Sequence, residues 1–133
     1  MDLERRGLRW IPLGLWLVGV PFLLTLPLDS ATEALPAWLY QGLPVVLVEW
    51  VAALGDKVVH ALLFGVGAWL LHRAPLPLGT AALAAFTYGG LWEGVQHFLP
   101  ARSAEWGDLM ANGVGSLVYA CGVVGYQRWR GIR

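Results

Sequence analysis

Nine polar residues stand where an otherwise apolar chain could do chemistry. Asp56, Lys57 and His60 come first, then Glu93, Gln96 and His97, then Arg102, then Asp108 and Asn112. Their neighbours are mostly Ala, Gly, Leu, Val and Trp, and Asn112 is the only asparagine in the chain. Residues three and four apart share a helix face. Asp56 with His60, Glu93 with Gln96 and His97, and Asp108 with Asn112 therefore each make a one-face polar set, the last continued by Gly115 and Tyr119. Three helices would each carry a polar stripe at one level. Such stripes are costly against lipid and turn inward, toward one another or a wet cavity.

Several chemistries fit these residue types. Lys57 and Arg102 can take phosphate or carboxylate oxygens, Gln96 and Asn112 can supply neutral hydrogen bonds, and Asp56, Glu93 and Asp108 can orient the cations. Eight of the nine basic residues are Arg, so the lone Lys57 suggests a compact ammonium at a tight site, where the two are not interchangeable. Glu93 or His60 could serve as an acid/base in an enzyme. An ionised Glu93 about two turns inside Pro100 needs a partner, and Arg102, Lys57 and His60 are the candidates. His60, Glu93, His97 and Asp108 are legitimate ligands for zinc or a similar ion. Yet no HExxH motif, paired ExxH or cysteine ligand accompanies them, so no metal and no other cofactor is assigned. Ser103 has no Gly-x-Ser-x-Gly setting, Ser116 lies inside an apolar run, and no glycine loop is suited to cradle phosphate. The alternative to a site is a structural ion-pair cluster that fixes helix register.

The elements that position these residues follow from composition. The chain has 133 residues, 57% hydrophobic and 14% charged, with a mean hydropathy of +0.58. A soluble domain carries about a quarter charged residues. The net charge of zero gives no reason to expect a nucleic-acid partner. A membrane span takes roughly 20 apolar residues, so one domain with four spans is expected, at about 10–28, 57–71, 80–99 and 109–126. Residues 43–54, rich in aromatics, read as a helix at the outer interface; the competing reading is a fifth span over 38–54, against which Pro44 and Glu49 count.

The basic leader with Arg5, Arg6 and Arg9 precedes an uncleaved first helix rather than a signal peptide, with Pro12, Pro21 and Pro27 bending or ending it. Arg73 and the group Arg128, Arg130 and Arg133 fall on the leader's side, which puts both termini in the cytoplasm. Asp29, Glu33, Glu49, Asp56, Lys57, Arg102, Glu105 and Asp108 fall on the other side.

Smaller features have bland readings. Asp56 is a candidate N-cap of the second span, and Ser103 of the fourth. Glu105 is taken as solvated, and His72 as a helix-end flank. His97 could snorkel at the interface, where Trp92 and Trp106 are anchors. Cys121, the single cysteine, is small apolar filler. The pairs Gly90/Gly94, Gly113/Gly115 and Gly122/Gly125 are packing signals that permit a homodimer without requiring one.

In order and spacing the chain resembles the VanZ-like family of small bacterial membrane proteins. The resemblance runs through Asp56-Lys57-x-x-His60, Tyr88-Gly89, Glu93-x-x-Gln96-x-Phe98-x-Pro100-x-Arg102 and Asp108-x-x-x-Asn112-x-x-Gly115, roughly the last two-thirds of the chain. The family often has Ser three residues after the arginine, where this chain has Glu105. The resemblance implies a multi-pass protein of the bacterial cytoplasmic membrane and a link to low-level teicoplanin resistance, with no settled biochemical activity. Cell-wall lipid precursors and glycopeptides meet at the outer face, toward which the polar residues point. The expected function is a pocket there that binds an anionic envelope lipid or lipid-linked glycan. The alternatives are an intramembrane hydrolase or transferase acting on polyprenyl-phosphate lipids, and a structural or partner-binding protein.

Overall fold

The computed structural model of the chain describes residues 10–25, 42, 44–99 and 105–131. Among them the protein is all-helical, with four helices: α1 (Ile11–Thr25), α2 (Val45–Arg73), α3 (Leu78–Gln96) and α4 (Trp106–Trp129). Each is a mainly apolar run. Pro44 and Pro77 stand immediately before α2 and α3, where a missing N–H costs nothing. Ala74 turns extended ahead of Pro75, as the residue before a proline prefers. Pro21 lies inside α1.

Cross-helix contacts set the directions. Lys57, His60 and His72 of α2 meet Asp108, Asn112 and Tyr119 of α4 in the same order, so these two helices run parallel. Tyr88 and Gln96 of α3 meet the Leu17 and Leu24 carbonyls of α1 in order, so this pair is also parallel. His60 and Phe64 of α2 meet Glu93 and Gly89 of α3 in reverse order, which makes the pairs antiparallel to each other. The helices alternate in direction along the chain.

Glycines decide how closely they approach. A Cβ on Gly115 would lie 1.8 Å from the Ala61 carbonyl oxygen, so the α2 and α4 backbones touch there. A Cβ on Gly89 would lie 2.7 Å from Asn112 Nδ2 and 2.9 Å from Phe64, which seats α3 against both. Gly67 leaves room for the Trp16 ring, whose indole Nε1 donates to the Leu63 carbonyl at 2.9 Å. Trp16, Phe64, Val20 and Leu24 form the centre of the core. Gly94, Gly122 and Gly125 have nothing within 4 Å of where a Cβ would stand. Of the expected packing pairs only Gly115 marks a close backbone contact. Spacing within one helix does not say which glycine meets a neighbour.

Three further expectations change. The interfacial helix at 43–54 and the span at 57–71 are one continuous helix of 29 residues, about 43 Å long. Asp56 is therefore mid-helix and caps nothing. The polar residues near 56 face a neighbouring helix and do not break the run. The first three turns of α2 lie beyond the packed region, with Val45, Val46, Trp50, Val51 and Leu54 exposed. Cys121 is exposed on α4 and fills no core space. Among the described residues one helix, Trp106–Trp129, is long and apolar enough to cross a membrane; Ile11–Leu24 is apolar but shorter. The expectations at Arg5, Arg6, Arg9, Pro27, Asp29, Glu33, Arg102, Ser103 and Arg133 lie outside the described residues.

Candidate functional site

The close approach at Gly115 has a consequence one turn away. Ala61 follows His60, and Gly115 lies three residues after Asn112, so backbone contact at 61/115 presses the two polar side chains together. His60 Nδ1 and Asn112 Oδ1 are 2.9 Å apart, both buried. An amide oxygen only accepts, so in this pairing Nδ1 donates, and in the neutral imidazole the lone pair then lies on Nε2. Below them Ser116 donates its hydroxyl to the Asn112 carbonyl at 3.0 Å and toward the Phe64 carbonyl at 3.5 Å. Asn112 is 0% exposed, and its Nδ2 has no hydrogen-bond partner among the described residues.

The seat at Gly89 does the same for α3. One turn on, Glu93 enters the cluster with its Oε1 4.0 Å from His60 Nδ1. Glu93 is only 6% exposed, and neither carboxylate oxygen has a hydrogen-bond partner among the described residues. The Glu105 backbone amide faces it without closing a hydrogen bond. Buried polar atoms in proteins are nearly always paired, so three orphan atoms in one place call for a reason.

Toward the end of the assembly the cluster becomes ionic. The Lys57 ammonium contacts Asp56 Oδ2 at 3.3 Å, Glu105 Oε2 at 2.9 Å and Asp108 Oδ1. Three N–H groups meet three carboxylates, an arrangement a compact ammonium satisfies and a planar guanidinium would not. Gly107 leaves the room for it, since a Cβ there would lie 2.9 Å from Lys57 Cε. Asp108 is in the first turn of α4, where the helix dipole favours an acid. Glu105 is the N-cap residue but makes no side-chain capping bond; its carboxylate goes to Lys57 and is not simply solvated.

Two cavities adjoin this cluster. An open cleft of about 460 Å³ lies between the end of α3 and the start of α4, lined by Glu93, His97, Phe98, Glu105, Trp106 and Leu109. An almost wholly apolar groove of about 430 Å³ runs between α2 and α4, from Val58 and Val114 past Gly65 to Val118 and Trp69. It begins one residue after Lys57.

The structure brings Asp56, Lys57, His60, Glu93, Asp108 and Asn112 together as one cluster. Gln96 is buried beside it, but its Nε2 donates to the Leu24 carbonyl at 2.7 Å and ties α1 to α3. His97 is exposed, packs edge-on against Phe98 and lines the cleft away from His60. Asp56, His60 and Asp108 offer ligand atoms within 4.8 Å of one another; of the expected metal ligands, Glu93 and His97 are not among them. Spacing alone did not reveal Gly89, Gly107 or Trp16 as parts of the frame. The Tyr88-Gly89 pair was the available signal. His72, read as a helix flank, pairs through Nδ1 with the Tyr119 hydroxyl at 2.8 Å at the other end of α2.

Comparison with protein-family models, with curated proteins and with solved structures found no match.

Proposed function

We propose that the chain is a VanZ-like, four-span protein of the bacterial cytoplasmic membrane, with both termini inside. Its polar end binds the headgroup of an anionic envelope lipid or lipid-linked glycan at the outer leaflet. The observation that carries this reading is the meeting of a charged cluster with an apolar groove that starts at Val58, beside Lys57. A headgroup above and an acyl chain below would fill the two. The alternating helix directions and the apolar exposed faces of all four helices support the membrane topology. Such a site would bear on teicoplanin resistance through cell-wall lipid precursors, which present their headgroups at that face.

Native mass spectrometry of gently extracted protein tests it. A lipid-phosphate mass should co-purify, and it should be lost on Val118→Trp, which fills the groove, and on Arg102→Ala. It should persist on Val124→Trp, outside the groove. A bare protein, or equal lipid retention in all variants, contradicts the reading.

A second reading has its own observation. Glu93 and His60 are buried 4.0 Å apart beside an open cleft, a placement suited to acid/base work on a polyprenyl-phosphate lipid. Glu93→Gln should then abolish turnover of such a lipid while leaving its binding within a few-fold.

A further inference from the structure

We propose that Asp56, His60 and Asp108 bind one divalent ion of the Mn²⁺ or Zn²⁺ class, with Glu93 as an additional donor. The site does not depend on the lipid reading. Four observations lead to it.

The first is geometry. The three ligand atoms lie within 4.8 Å of one another. Ligands about 2.1 Å from a tetrahedral metal are about 3.4 Å apart, so rotamer shifts that draw the atoms together by up to about 1.4 Å close the set. Asp56 and His60 are one turn apart on α2, and Asp108 comes from the first turn of α4.

The second is charge. Three carboxylates (Asp56, Glu105 and Asp108) meet one ammonium, Lys57, among the described residues. Buried charge is tolerated when paired or coordinated, and a divalent ion supplies the missing counter-charge. Lys57 holds Oδ2 of Asp56 and Oδ1 of Asp108, which fixes both carboxylates and leaves each with a second oxygen.

The third stands apart from the acidic cluster. Glu93 is more than nine-tenths buried, comes from a third helix, and points an unpartnered carboxylate at His60. A carboxylate held there without a donor has the features of a ligand.

The fourth is the imidazole. Asn112 fixes the tautomer of His60 through Nδ1, the kind of outer contact that orients a ligating histidine. One nitrogen with two or three carboxylates suits Zn²⁺ or Mn²⁺ better than Ca²⁺ or Mg²⁺, which prefer all-oxygen sets. Three protein ligands leave a fourth position open on tetrahedral Zn²⁺, and four leave two open on octahedral Mn²⁺.

The test uses the purified full chain in detergent, stripped with a chelator and titrated with Mn²⁺. Loss of the free-ion electron paramagnetic resonance signal reports binding, and Zn²⁺ serves as competitor. One saturable site per chain, displaced by Zn²⁺, is expected. Affinity should fall at least about tenfold, the scale of losing one contributor to a metal site, in His60→Ala and Asp108→Asn. It should be unchanged in His97→Ala and His72→Ala. Lys57→Met should bind more tightly, because a competing positive charge is gone, whereas a purely structural cluster predicts no gain. If His60→Ala does not fold, Asp56→Asn, at the more exposed edge of the site, should show the same loss. No saturable binding up to about 1 mM, the weak end of extracellular cation sites, overturns the proposal. So does equal binding by the wild type and the Asp56, His60 and Asp108 variants.

Discussion

The two ends of the helix assembly solve the same problem differently. At the end away from the cluster, polar groups pair singly near the surface. His72 pairs with Tyr119, Arg73 lies 5.1 Å from the Trp69 ring, and Arg130 lies 5.7 Å from that of Tyr126. The last turns of α4, from Val124 to Trp129, are exposed throughout. At the other end polar groups from three helices are buried together, with more polar atoms than partners. Glu93 has two orphan oxygens and Asn112 an orphan nitrogen. A cluster selected only for stability would close its hydrogen bonds, because unmade ones inside are expensive. The excess at one end, and its absence at the other among the described residues, separates a candidate site from ordinary helix-end chemistry.

Substitution can break this contrast, most severely at the backbone. Gly115→Ala places a Cβ against the Ala61 carbonyl, a backbone atom that cannot swing aside. The expected loss is about 3 kcal/mol or more, seen as a collapse of the monodisperse peak in detergent gel filtration. Gly122→Ala, with open space around it, should leave the profile unchanged. If both substitutions are harmless, the close approach that assembles the site is wrong.

The next effect comes from the centre of the cluster. Asn112→Leu leaves buried His60 without its partner, at a cost of about 1–3 kcal/mol. The thermal midpoint should drop by several degrees. A smaller loss, near 1 kcal/mol, is expected for Trp16→Phe, which keeps an aromatic ring against Phe64 but removes the indole bond to Leu63. Tyr119→Phe at the far end should cost least, about 0.6 kcal/mol. Equal midpoints for the Asn112 and Tyr119 variants would erase the difference between the two ends.

Much of the site was legible in the sequence, because helical spacing places Asp56 with His60, Glu93 with Gln96, and Asp108 with Asn112 and Gly115 whatever the surroundings. That Lys57 would sit at a tight polar contact followed from its being the one lysine among eight arginines. The continuity of α2 was not legible. Pro44, Glu49 and Asp56 all read as breaks, yet Pro44 only starts the helix and Asp56 faces α4. Gln96 reads as a ligand-binding amide, but the Leu24 carbonyl of α1 accepts from it. Which glycines meet a neighbour depends on helix–helix register, as Gly89 and Gly107 show. The role of Trp16 depends on register too, since its partner Leu63 is 47 residues away.

The central claim is that the polar end faces the outside of a membrane that α4 crosses. Single cysteines at the two ends of α4 test it, in a chain carrying Cys121→Ser. Trp106→Cys and Trp129→Cys replace side chains that are 83% and 79% exposed. A membrane-impermeant maleimide applied to intact bacterial cells should label the cysteine at 106, and the one at 129 only after permeabilisation. Labelling of both from outside, or of 129 alone, would contradict the account.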